Sequence, residues 1–154
     1  MARSTRSTPS PITDNGVHLV EIKSHPGEIG GDGTTWVWRT PEGRRRNFDN
    51  PRLLANRKAK ALRDVLSRTR AFSNHRGEVP YVEEVVFLSD PGLTVSLSAP
   101  GRHNVYGRDA DDGEELPPSR SAIGGIVAAL TDLRPDPGGR RRHRIDRPTG
   151  ARIA

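Results

Sequence analysis

Cysteine is absent from the 154 residues, which excludes a disulfide scaffold and thiolate metal sites and suits a reducing compartment. Aromatic residues make up only 5% and hydrophobic residues only 32%, while 16 Gly and 13 Pro add to the loop-forming content. A single modest core with substantial loops and tails is the expectation. No long hydrophobic run exists. The longest, Ile123 to Leu130, is broken by Gly124 and Gly125 and is far too short to span a bilayer. The N-terminal MARSTRSTPSP carries basic residues but no apolar stretch, so a secretory signal is excluded and a cytoplasmic location without membrane partners is expected.

Charge is present but unevenly placed. The net formal charge is +6, yet residues 134–154 alone carry seven Arg against Asp136 and Asp146. Residues 44–70 hold ten basic side chains against Asp49 and Asp64, whereas residues 78–116 hold nine acidic ones against Arg102 and Arg108. The basic middle, and Arg44, Arg45 and Arg46 within it, is a candidate contact for nucleic-acid phosphates. A solvated helix face is the competing explanation for its helical part.

The chain divides into four segments. Residues 1–15 are rich in Ser, Thr, Pro and Arg and read as a disordered lead. Residues 16–100 form the core, beginning with a strand over Val17 to Lys23 that His25-Pro26-Gly27 stops. Gly30 to Gly33 is expected to turn into a second strand over Thr34 to Thr40, and Pro41-Glu42-Gly43 then returns the chain through Arg44 to Phe48 as a β-meander. Asn50 and Pro51 are a helix start, since Asn caps well and Pro at the first helical position loses no hydrogen bond. The helix should reach about Arg68, with Leu54, Ala55, Ala59, Ala61, Leu62, Val65 and Leu66 on one apolar face and Lys58 near its centre. Tyr81 to Leu88 reads as a buried strand, and Leu93 to Ser98 as a short alternating one. Residues 101–133 are an acidic loop with a short strand near Asn104 to Tyr106, then a helix of about a dozen residues capped by Ser119 or Ser121. Residues 134–154 read as a basic disordered tail or linker.

Within the first strand, Glu21 and Lys23 are two apart and therefore project from one face. A carboxylate and an ammonium placed together at a strand end supply half of a metal-dependent phosphodiester-cleaving site. An acid-x-Lys triplet alone carries little weight. Its surroundings add more: Val-Glu-Ile-Lys, a turn ending in Gly, Gly-Asp-Gly, a Trp-containing strand, Asn50-Pro51 and a helix with Leu62 and Leu66.

In that order and spacing the chain resembles the nuclease-related domain (NERD) of the PD-(D/E)xK restriction-endonuclease-like superfamily. It is most similar to the form that precedes a serine/threonine kinase in phage growth limitation and bacteriophage exclusion defence systems. The resemblance implies an α/β fold, here an incomplete restriction-endonuclease-like core with a mixed β-sheet, a meander and a flanking helix between disordered tails. It implies DNA as substrate or ligand, Mg2+ as the metal of an active member, and a kinase domain or defence-system protein as partner. Glu21 matches the metal-binding acid and Lys23 the catalytic lysine; for Lys58 two readings stand side by side, an ammonium reaching the same cleft and a packed stem whose ammonium snorkels to solvent. Leu54 stands where the family commonly has Gln. The superfamily's second metal-binding Asp has no match, because Asp14 lies at the far end of the first strand. The expectation is therefore a domain truncated at both ends and inactive in DNA cleavage by itself. Two alternatives stand beside it, a non-catalytic nucleic-acid-binding or interaction module and an incomplete fold of low solubility.

Overall fold

Val17 to Lys23 and Val82 to Leu88 are rich in β-branched residues, and each forms a central strand of one sheet. A computed structural model describes residues 12–13, 16–69, 79, 81–111, 115 and 123–131. The elements run β1 (Ile12–Thr13), β2 (Gly16–Lys23), β3 (Gly27–Gly31), β4 (Thr35–Arg39), β5 (Arg45–Asp49), α1 (Pro51–Ser67), β6 (Val82–Leu88), β7 (Leu93–Leu97), β8 (Val105–Tyr106) and α2 (Ile126–Thr131). They form two four-stranded sheets, ordered β1-β2-β6-β8 and β5-β4-β3-β7. The α/β class and mixed strand directions expected of a restriction-endonuclease-like core are present.

Strands β2 and β6 are parallel, with Val17 opposite Val82 and Lys23 opposite Leu88. The chain then steps into the second sheet twice in the same direction, so that β3 and β7 are also parallel, with Gly27 opposite Leu93. One apolar cluster joins the two sheets. Ile29, Trp36, Leu93, Val95 and Leu97 of the second sheet pack with Val86, Leu88 and Val105 of the first. A smaller cluster of Val17, Val82, Ala59 and Leu66 seats α1 on β2 and β6.

The meander is present but is built differently from the sequence expectation. Its first strand is β3, a segment read as turn because three of its five residues are glycine. Gly27 and Gly31 have φ of 114° and 136°, and a Cβ on them would strike the backbone of Arg39 and Thr35, respectively. These glycines therefore allow close pairing with β4. Pairing also begins inside the segment expected as lead, since Ile12 and Thr13 lie opposite Val17 and Gly16. Asp14 lies outside the described residues.

Helix α1 starts as expected. The Asn50 Oδ1 accepts from the Arg52 N–H at 2.9 Å, and its Nδ2 donates to the carbonyls of Asp32 and Gly33, both at 3.3 Å. This buried side chain thus caps α1 and ties it to the turn before β4. Replacing Asn50 by Ala should cost about 1–2 kcal/mol, read as a lower urea midpoint with an unchanged slope. The apolar face is narrower than expected. Pro51, Ala55, Ala59 and Leu66 are buried, whereas Leu54, Ala61 and Val65 are exposed, because the small Ala55 and Ala59 bring one edge of α1 close to the sheet.

Among the described residues the last helix covers Ile126–Thr131, and its start lies beyond the Ser119 or Ser121 expected to cap it. Its first turn is capped by Asp109, whose carboxylate accepts from the N–H groups of Val127 and Ala128 at 2.8 and 3.0 Å. Ser119, Ser121 and the basic tail lie outside the described residues. Among the described residues no helix is long and apolar enough to cross a membrane.

Candidate phosphate-contacting site

Alternation along β2 turns Val17, Leu19, Glu21 and Lys23 toward α1, and the parallel register sets Glu21 beside Val86. Lys58 comes down from the middle of α1 onto the same place. Its Nζ lies 3.0 Å from Glu21 Oε2, and the Lys23 Nζ lies 3.1 Å from Oε1. Glu21 is only 1% exposed, while the Lys23 and Lys58 side chains keep 17% and 33% of their surface. Each carboxylate oxygen therefore faces its own ammonium, and the two ammoniums keep a path to solvent.

The electrostatics follow from that arrangement. Burial alone would push the Glu21 carboxyl up, but the hydrogen bonds and charges of Lys58 and Lys23 outweigh it and hold the group below the usual carboxylate range. A carboxylate so held is a weak proton acceptor at neutral pH. The trio carries one net positive charge.

The structure brings together Glu21, Lys23 and Lys58, all three side chains singled out in the sequence for this centre. Arg44, Arg45 and Arg46 stand elsewhere. Arg45 and Arg46 lie on β5 at the edge of the second sheet, opposite Arg39 and Trp38, and all three arginines are exposed.

One acid escaped the sequence reading. Glu84 lies opposite Leu19 on β6, faces α1 as Glu21 does, and is 1% exposed. Its Oε1 accepts from Arg52 Nε at 3.1 Å and from Asn56 Nδ2 at 3.4 Å. The signal was available, since a glutamate inside a strand that reads as buried needs a partner. Arg52 and Asn56, one turn apart at the start of α1, are those partners.

A resident divalent cation fits this donor set poorly. Magnesium sites draw on carboxylates, substrate phosphate and water together. Here both Glu21 oxygens face ammonium groups and Glu84 is committed to Arg52 and Asn56. Among the described residues no three His, Asp or Glu side chains converge as a metal site would require. As arranged, the centre suits an anion better than the Mg2+ implied by the resemblance.

Comparison with known proteins agrees with the family resemblance. A family model described as nuclease-related domain (NERD) matches residues 12–89, a span that contains Glu21, Lys23, Lys58 and Glu84. A protein of Streptomyces coelicolor described as "Probable kinase PglW" is 38% identical over 95 residues, 62% of this chain. The match covers 6% of that protein, so the chain corresponds to a small part of it. No solved structure matches.

Proposed function

The chain belongs to the nuclease-related domain family, and on that premise we propose that Glu21, Lys23 and Lys58 form a phosphate-contacting centre for DNA that does not hydrolyse the strand in this chain alone. The observation that carries this reading is the buried Glu21 carboxylate with one lysine on each oxygen. Glu21 holds the two ammoniums at one place, and their charge exceeds that of the carboxylate, which favours phosphate oxygens there. Arg44, Arg45 and Arg46 add sequence-independent attraction along the strand. Hydrolysis is not expected because Glu21, held ionised by two lysines, is a poor base, and no second acid stands uncommitted beside it among the described residues.

The kinase named in the relative's description supports a partner as well. In this reading a kinase domain of a phage-defence protein, joined to or bound by this domain, is brought to DNA in the cytoplasm.

Purified protein mixed with plasmid and Mg2+ or Mn2+, beside a Glu21→Ala control, should bind without nicking. Binding should weaken with salt, persist in Glu21→Ala, and fall in Lys58→Gln and in the variant with Arg44, Arg45 and Arg46 changed to Gln. Each lost phosphate contact should lower the slope of log affinity against log salt by about 1. Glu21-dependent nicking would overturn the proposal.

A further inference from the structure

Two residues beyond Lys23 the chain places an aromatic seat beside the lysine centre. The His25 imidazole stacks on the Trp38 indole with ring centroids 4.6 Å apart and planes 28° from parallel. Both residues are half-buried and keep part of their surface open to solvent. The stack is held from several sides. Trp38 packs against the core, and its Nε1 donates to the Pro26 carbonyl at 2.9 Å. Gly27 allows the turn to close on this ring, since a Cβ there would lie 3.1 Å from the same indole nitrogen. Such bracing fixes the Trp38 indole before any ligand arrives.

Two sources of positive charge neighbour the pair. Lys23 is two residues from His25, at most about 7 Å along the backbone. Arg46 lies opposite Trp38 in the sheet and shares its face. A braced aromatic surface flanked by cations is the arrangement with which proteins hold unpaired bases while their charges track the phosphates.

We propose that the stacked His25–Trp38 pair is a seat for an unpaired nucleobase of a strand whose phosphate lies on Lys23 and Lys58, with Arg46 contacting the strand beyond it. This rests on the phosphate-contacting reading of the lysine centre and specifies the ligand as single-stranded, or locally unpaired, nucleic acid. The base stacks on the open part of the imidazole and indole surface. No sequence preference follows, because every base presents a flat face.

The test compares the affinity of the 154-residue chain, by fluorescence anisotropy, for a short oligodeoxythymidylate and for an abasic oligomer of equal length. Wild type should favour the thymidylate on the order of fivefold or more. His25→Ala should lose that preference while binding the abasic oligomer as before, and Trp38→Phe, which keeps a ring, should retain part of it. Melting curves confirm that the variants are folded. Equal wild-type affinity for both oligomers, with Lys58→Gln still weakening each, would refute the base seat and leave the phosphate centre standing. A preference that survives in His25→Ala would refute it too. Loss of all binding to both oligomers would overturn both readings.

Discussion

Replacing Lys23 and Lys58 together by Met should destabilise the protein by about 3–5 kcal/mol near neutral pH, since it leaves a 1% exposed carboxylate without its counter-charges. The dependence on pH identifies the cause. In the wild type the Glu21 carboxyl is held below its ordinary value of 4.5, so its stabilising contribution is present above that value and is lost as pH falls through the folded one. In the double variant only burial acts, and it pushes the carboxyl up. The deficit against wild type should therefore shrink as the solution is acidified and Glu21 takes a proton. Adding Glu21→Gln to the double variant should recover much of the loss at pH 7. Urea unfolding at several pH values measures all of this, and a deficit that does not change with pH would contradict the account.

Trp36→Ala should cost a further few kcal/mol, about 3–5, for a different reason. Trp36 is fully buried, meets Phe48 edge-on with centroids 6.2 Å apart, and belongs to the cluster that joins the two sheets. Deleting it opens a cavity between the two sheets. Trp36→Phe should be much milder. The indole Nε1 has no hydrogen-bond partner among the described residues, so removing it relieves an unsatisfied donor while keeping most of the ring. If the sheets share one core, the Trp36→Ala protein should still unfold in a single step, with circular dichroism and Trp38 fluorescence coinciding. Separate transitions would show that the sheets melt independently.

Local chemistry in the sequence was a sound guide where the decisive interaction is local. Asn50-Pro51 marks the start of α1, and the alternation in β2 sets Glu21 and Lys23 on one face. Lys58, a charge on a helical face otherwise apolar, marks its own approach to a buried acid. What stayed hidden depends on pairing between distant segments. Strand β3 is concealed because glycines that permit close packing look like turn residues until the partner strand is known. The exposure of Leu54 and Val65 follows from how α1 rolls on Ala55 and Ala59, which helical periodicity does not specify. Glu84 gains its meaning from Arg52 and Asn56, and those contacts cross thirty-two and twenty-eight residues of chain.

The position of β5 has a consequence for solubility as well as for binding. It is an outermost strand of its sheet, and an outermost strand offers unpaired backbone groups to any passing chain. Arg45 and Arg46, exposed along it, repel a second copy that would dock edge to edge. The same guanidiniums thus guard against aggregation. Neutralising them removes that guard, whereas Arg→Lys keeps it while giving up the planar fork that grips phosphate.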